Sequence, residues 1–338
     1  MTHHSMMDAL KNKLSAIKNV VPVENPVVYI DYPVHDNVGD LLIHQGADAF
    51  LEDYGYKVLG RYSIHDFTHR PQRHVPDVDW KPSVADLDAL VRKFNPTLIL
   101  HGGGNFGDIW PEFQKFRELI VERYPDTSIV IFPQSIHFGE AAGKERAIRI
   151  FGAHKKLHIF TRDSESWDFV SRECGLPGGL LPDMAHQLWG RLPQDTAGED
   201  KGVLVQRRRD KESREAGEPQ GNHFDWDDLR KPGERYVIRA LRKWQGIDSP
   251  LRHYISNYAL WRIYRDNLVD RAVSCFRPYG EIDTDRLHGM ILGALMAKRI
   301  RYGDGNYGKL HRYARAWLAE SPLIQSGLEE APSTPIAS

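Results

Sequence analysis

The sequence predicts an α/β protein: a parallel, doubly wound sheet, then a second, smaller and more helical α/β domain. Three observations lead there. Short apolar runs alternate with segments of helical periodicity through the first half of the chain. The glycine and polar clusters follow the apolar runs, where an open α/β sheet presents its ligand-binding loops. After a linker-like stretch from about Gly190 to Lys201, the apolar pattern restarts at Val203. A chain of 338 residues has room for two domains of about 150 residues each. The expected division is 1–192, 200–320 and a disordered Pro/Ser/Ala-rich tail over 321–338.

Taken in order, Val27 to Asp31 is a strand, followed by a loop through Asp40 and a helix over Leu41 to Tyr54. Tyr56 to Tyr62 is a second strand, and 63–82, rich in His, Pro and Asp, a long loop. An amphipathic helix (Val84 to Phe94) leads to the buried strand Thr97 to His101 and the loop GGGNFGD. Next come a helix from about Glu112 to Arg123, a strand over Ser128 to Phe132 and a helix over 143–152. A strand ending at Thr161 and a helix over 164–174 complete the first half. In the second half Val203 to Gln206 is a strand, 207–235 a charged loop and Tyr236 to Phe276 mostly helical. The pattern closes with a strand at Glu281 to Thr284, a helix from Arg286 to Ala297, a strand at Arg299 to Tyr302 and a helix over Lys309 to Leu318.

Composition removes several classes of function. Hydrophobic residues at 41% and charged residues at 27% suit a globular chain with an ordinary core. The 45 Lys and Arg nearly balance the 46 Asp and Glu, so no nucleic-acid footprint is present and no such partner is expected. Cys174 and Cys275 are too few and too far apart for a disulfide scaffold or a thiolate metal site. Met1 to Leu14 lacks the apolar region of a signal peptide, and no run of about 18 apolar residues offers a membrane span. A reducing, cytoplasmic setting follows as the expectation.

Five constellations carry the chemistry. His101–Asp108 (HGGGNFGD) follows a strand. Its Gly103, Gly104 and Asn105 either let backbone N–H groups cradle an anion or simply make a tight turn. It matches neither the dinucleotide fingerprint nor the P-loop. In Asp36–Asp40 (DNVGD), Asp40 is either a general acid or the cap of the next helix. Gln134 and Ser135, and then Arg162, end two further strands, where an arginine is an anion fork or a plain salt-bridge partner. Arg207, Arg208 and Arg209 either grip phosphate or belong to a solvated loop. The richest stretch is Asp283–Gly289 (DTDRLHG). It joins a helix start, an always-charged Arg286 and a titratable His288. Arg286 and His288 can serve one ligand only if they lie at the helix start, since residues i and i+2 diverge within a helix. Asp283 and Asp285 also form a DxD, which capping explains equally well, and no HExxH-like metal spacing exists.

Together these pieces resemble the polysaccharide pyruvyl transferase family. The resembling segments are NVGD (37–40), HGGGNFGD (101–108), PQSIHF (133–138), TRDSES (161–166), RRDKE (208–212), TDRLHG (284–289) and NYGKL (306–310), in the expected order. The resemblance implies a GT-B-like pair of Rossmann-like domains facing a cleft. It also implies transfer of pyruvate from phosphoenolpyruvate onto two sugar hydroxyls as a cyclic ketal. It associates Arg286, His288 and Arg162 with the donor and sets Asp40 near it. We extend the donor set to Leu287, Gly103, Gly104, Asn105, Gln134 and Ser135, and assign Asp36, Asn37 and Arg208 to the acceptor. His288 and Asp40 are the candidate acid/base pair. The scheme requires no metal and no cofactor. Family context makes the acceptor a lipid-linked oligosaccharide at the inner face of the cytoplasmic membrane, with at most peripheral membrane contact; the oligomeric state is not readable. The rival readings are a nucleotide-sugar glycosyltransferase on the same fold and a non-catalytic polysaccharide-assembly protein. Trp226, Trp244 and Trp261 are either sugar platforms or core, with core the commoner fate.

Overall fold

A computed structural model describes residues 1–69, 79–81, 84–194, 200–209, 223–246, 257–303 and 308–327. Outside them fall the middle of the expected 63–82 loop, linker residues 195–199, Asp210–Glu212 of RRDKE, Asn306 and Tyr307 of NYGKL, and 328–338 of the expected tail.

The chain forms two compact units. The first comprises 9–188 and 230–270; the second comprises 1–8, 189–229 and 271–338. The expected boundary near 192 put 230–270 in the second domain, whereas its contacts group it with the first.

The helix α1 (His3–Lys13), which drew no assignment from its polar sequence, begins in the second unit and ends in the first. In the first unit follow β1 (Val27–Ile30), α2 (Val38–Asp53), β2 (Val58–Tyr62), α3 (Ala85–Phe94), β3 (Thr97–Leu100), β4 (Gly103–Gly107), α4 (Pro111–Arg123) and β5 (Ile129–His137). Then come α5 (Ala141–Gly152), β6 (Leu157–Thr161), α6 (Ser164–Asp168) and β7 (Gly178–Leu180). The insert adds α7 (Glu234–Gly246) and most of α8 (Asn257–Phe276). The strands pair in the order β2-β1-β3-β5-β6-β7, with β4 on the far end of β5, and every ladder is parallel. Strands covered on both faces need apolar residues throughout, which is why β1 and β3 read as unbroken runs rather than alternations. One face packs Val28, Ile30, Leu98, Leu100, Ile129 and Ile131 against Phe116, Ile120 and Phe151 of the helices.

Three strands escaped the sequence reading. The glycine stretch 103–107, expected as a loop, is β4; its backbone is shaped by glycines at φ 127° and 125° rather than by β-forming side chains. It can pair because β5 runs on past Pro133 to His137, through a shift of register between Ile131 and Gln134 that accommodates the missing N–H. β7 and the last strand, β11 (Ile324–Ser326), are three residues each, too short to show a period.

The second unit holds β8 (Val203–Gln206), β9 (Glu281–Thr284), α9 (Leu287–Leu295), β10 (Arg299–Tyr302), α10 (Lys309–Tyr313) and β11 (Ile324–Ser326). Its parallel sheet runs in sequence order, β8-β9-β10-β11. β11 corrects the expected tail: the chain stays in the sheet through Ser326. Buried His3 holds the start of α1 here, through Ala294 O at 2.9 Å and Ser321 Oγ at 2.8 Å. Both units are therefore Rossmann-like α/β. Trp226 and Trp261 are buried and Trp244 is half-buried, so the first two are core.

Gly46 lies where α2 meets the backbone of Met184 and Ala185, and a β-carbon there would overlap main-chain atoms. Alanine would gain about 1 kcal/mol of helix propensity, but the backbone opposite cannot swing aside as a side chain could. Gly46→Ala should lower unfolding stability by roughly 1–3 kcal/mol, read from the denaturation midpoint.

Candidate functional site

The first sheet reverses its winding between β1 and β3: the chain proceeds from β1 outward to β2, then crosses back to β3 and on to β5 and β6. Ligands of open α/β sheets bind beyond the carboxyl ends of the strands at such a reversal. The residues that follow directly on β1 and β3 are Asp31 and His101.

Asp31 turns the chain with a left-handed backbone (φ 70°), which aspartate tolerates better than most residues. Its N–H donates to Tyr62 O at 2.7 Å. The loop that follows enters α2 at Asn37, whose Oδ1 accepts from Gly39 N at 3.1 Å and whose Nδ2 donates to Asp40 Oδ2 at 3.0 Å. Asn37 is therefore the cap, and Asp40, in the first turn, is not needed as one. Asp40 stands 3.5 Å from His35 Nε2, with its other oxygen towards Gly103. Burial lowers the pKa of His35, although the charge of Asp40 works against this. Asp36, expected at the acceptor, is paired with Arg230 at 2.6 Å; burial would raise its pKa, but that guanidinium outweighs burial and lowers it.

At the end of β3, His101 Nδ1 meets Tyr29 OH at 2.7 Å, and Gln134 Nε2 donates to His101 O at 2.7 Å. Burial pushes the His101 pKa down to about 4. In the glycine strand, Asn105 accepts from Arg117 Nη2 at 2.8 Å, and the Arg117 guanidinium lies 4.6 Å over the Phe106 ring. Burial pulls Arg117 down to about 10. Among the described residues Asp31 Oδ1, His101 Nε2 and Gln134 Oε1 are buried polar atoms with no hydrogen-bond partner. Such atoms are rare in a folded interior and tend to cluster where function is served.

At the ends of β5 and β6, Arg162 is 2% exposed. Its Nη1 donates to Asp183 at 2.5 Å and its Nε to Ser135 Oγ at 2.9 Å, while Ser135 donates on to Asp163 at 2.7 Å. A β-carbon on Gly104 would press on Arg162 Nη2 at 2.9 Å, so a glycine is what lets the two approach.

In the second unit, Arg286 precedes α9 in extended conformation (φ −102°, ψ 125°), with Leu287 and His288 in the first turn, so the required helix-start placement is met. Thr284 Oγ1 accepts from Arg286 N at 3.0 Å and donates to Gln206 at 2.8 Å. The guanidinium forks onto buried Asp225, with Nε and Nη2 each at 2.6 Å. His288 is half-buried and Leu287 buried. Of the arginine run, Arg207 pairs with Asp283 at 2.8 Å and Arg209 with Asp228 at 2.8 Å; Arg208 N donates to Asp285 at 2.9 Å. Both acids of the DxD are thus engaged by this run.

The structure brings Asp40, Gly103, Gly104, Asn105, Gln134, Ser135 and Arg162 to one edge of the first unit, as their strand-end positions implied. Arg286, Leu287, His288 and Arg208 share one edge of the second. Sequence reasoning missed Asp31, Arg117, Asp183 and Asp225 and gave His101 no role. Asp31 had a signal, an acid closing a fully apolar run; the others stand out only once their neighbours are known.

A doubly wound sheet with acids, a bare glycine strand and a buried arginine along its carboxyl-end edge has the build of a Rossmann-like α/β enzyme. The family model described as "Polysaccharide pyruvyl transferase" matches residues 37–300, and the chain belongs to that family. Two relatives agree. "Putative pyruvyl transferase EpsO" of Bacillus subtilis (strain 168) is 34% identical over 95% of both chains. "Pyruvyl transferase 1" of Schizosaccharomyces pombe is 25% identical over 86% of this chain and 69% of its own length. The crystal structure of an uncharacterised protein from Klebsiella pneumoniae subsp. pneumoniae NTUH-K2044 shares the fold, with a TM-score of 0.56 at 17% identity, over 98% of this chain and 100% of that one.

The two buried Arg–Asp pairs allow a test of their structural weight. Asp183→Asn and Asp225→Asn each leave a buried guanidinium without its counter-charge. Each is expected to destabilise the fold by about 3–5 kcal/mol, measured by denaturant unfolding, whereas a substitution at the exposed Asp168–Arg172 pair should change it by about 1 kcal/mol at most.

Proposed function

We propose that this protein transfers pyruvate from phosphoenolpyruvate onto a sugar of a bacterial exopolysaccharide, or its lipid-linked precursor, as a cyclic ketal. The observation that carries this reading is the gathering of the family-resembling motifs of the first unit along the carboxyl-end edge of its sheet. Phosphoenolpyruvate bears a carboxylate and a phosphate, and Arg162 and Arg286 are suited to hold such oxyanions because they stay charged at any physiological pH. Both already face a protein carboxylate. This fixes the guanidinium plane in advance and favours orientation over attraction alone.

The chemistry requires C3 of the donor to gain a proton, making C2 electrophilic. One sugar hydroxyl adds to C2, phosphate leaves and a second hydroxyl closes the ketal. We assign Asp40 to take the proton of an attacking hydroxyl and His288 to acid/base work at the oxygens that add and leave. Leu287, Gly103, Gly104, Asn105, Gln134 and Ser135 serve the donor in this reading, and Asn37 and Arg208 the acceptor. The ion pair of Asp36 with Arg230 makes its acceptor role indirect. Neither metal nor cofactor enters the scheme. Any membrane contact is peripheral and at the cytoplasmic face; among the described residues no helix is long and apolar enough to cross a bilayer.

Incubation with phosphoenolpyruvate and a panel of β-galactosides, glucosides and N-acetylhexosamine glycosides should release phosphate and give a product heavier by one pyruvyl ketal. His288→Ala should slow phosphate release by roughly 10²–10⁴-fold. Unchanged release in that variant removes His288 from the mechanism, and tight nucleotide-sugar binding with no ketal from any sugar overturns the reaction.

A further inference from the structure

We infer that Asp31 is the carboxylic acid that delivers the proton to C3 of phosphoenolpyruvate, an inference that rests on the donor proposed above. Its position comes first. Asp31 is the first residue after β1 at the sheet's reversal point, where the backbone takes a left-handed turn. The side chain is 4% exposed, and Oδ1 has no hydrogen-bond partner among the described residues. A carboxylate so placed would be destabilised, whereas a neutral acid has a proton to give and little water to lose it to.

The surrounding charges bear this out. From α4, Arg117 favours the ionised form; from α2, Asp40 disfavours it; Tyr29 on the same strand has its own pKa raised in part by Asp31. Burial lowers the pKa of His101, the first residue after β3, to about 4, so it is neutral at pH 7. Burial is the largest influence and, with Asp40, outweighs Arg117, so that Asp31 is raised to about 7. A carboxylic acid with that value is half protonated at neutral pH and well matched to proton transfer there.

The step balances. The C2=C3 π electrons take the Asp31 proton, forming a C3–H bond as the O–H bond breaks, and C2 becomes electron-poor. The first hydroxyl oxygen bonds to C2 and yields its proton to Asp40. The C2–O bond to phosphorus then breaks with its electron pair on the phosphate, and the second hydroxyl closes the ring. Of the two hydroxyl protons, one restores Asp31 and the other leaves as hydrogen phosphate. No oxidant or reductant is needed.

Asp31→Asn tests the assignment. Asparagine tolerates the left-handed turn and has nearly the same volume, but holds no transferable proton. In wild type, phosphate release should fall as pH rises through about 7, as Asp31 loses its proton. In the variant it should be lower by roughly 10²–10⁴-fold, and the residue of activity should lack that limb. Stability gives a readout independent of turnover. A carboxyl raised on folding stabilises at pH below its unfolded value of 3.8, and that contribution is lost as pH rises towards about 7. The variant should therefore gain in melting temperature relative to wild type between pH 4 and pH 8. Parallel melting curves across that range, or phosphate release retained with an unchanged pH profile, overturn the role of Asp31 alone. Wild type that consumes no phosphoenolpyruvate with any acceptor, while the melting curves diverge as expected, overturns the donor and with it the proton transfer.

Discussion

A guanidinium that is 2% exposed has to be neutralised, and the edge of the first sheet is organised around doing so for Arg162. Its ion pair with Asp183 fixes the segment that leaves β7, and that segment continues into the turn Met184–Leu188, which lies against α2. Gly46 is bare so that this backbone can come close, and the same helix carries Asp40 at its start. On the other side, Arg162 Nε holds Ser135, Ser135 holds Asp163, and Asp163 caps α6 by accepting from Ser166 N at 2.9 Å. Gly104 has no β-carbon because Arg162 Nη2 is already there. One buried charge therefore sets the position of β5, β6, α6, the 184–188 turn and, through it, α2. Burial of such a pair is a weak source of net stability, since desolvation offsets most of the attraction. What it supplies is a single permitted arrangement.

The second unit repeats the device with different parts. Arg286 is clamped by Asp225, while Asp225 Oδ1 also accepts from Trp226 N at 2.7 Å and its Oδ2 from Arg209 N at 3.1 Å. Thr284 and Gln206, at the ends of β9 and β8, tie the start of α9 to the sheet, and Gly289 leaves room for both side chains. In each unit an arginine at the carboxyl end of a parallel sheet is oriented by an aspartate distant in sequence. A guanidinium held in this way is a poor general anion trap and a good positioning device, since its direction is set before any ligand arrives.

The alternation of β1, α2, β2, α3, β3, α4, β5, α5 and β6 was legible because double burial writes strands as unbroken apolar runs. Candidate site residues at strand ends, Asp40, Arg162 and Arg286 among them, were legible for a related reason: parallel topology puts every such end on one edge. β4 was not, because five residues containing three glycines carry no side-chain pattern and the strand exists only by pairing with an extended β5. Nor was the affiliation of 230–270, which depends on contacts such as Arg265 with Asp48 at 2.5 Å and Tyr258 with the same carboxylate, across more than two hundred residues of sequence. The aspartate partners of Arg162 and Arg286 were hidden for the same reason: Asp183 and Asp225 have no local motif, only a charge opposite them in space.

Asp31 and Asp40 are two carboxyl groups held at one edge in different surroundings. Nine residues apart, they bracket the loop from β1 into α2, and the charge of Asp40 helps to raise the pKa of Asp31. Asp31 is enclosed, with an oxygen that has no hydrogen-bond partner among the described residues, and stands at a left-handed turn. Asp40 has a side chain 30% exposed, accepts from Asn37 and has His35 at 3.5 Å. Burial of this kind favours the protonated form of Asp31. The like charge strengthens this preference, because an ionised Asp40 makes ionisation of Asp31 harder. The proposed addition of a hydroxyl across an enol phosphate would use such an asymmetry: an acid to give a proton to carbon and a base to take one from oxygen. The loop that joins the two carboxyl groups, YPVHDNVGD, sets the spacing between them through its length and its asparagine cap, whose side chain also holds Asp40.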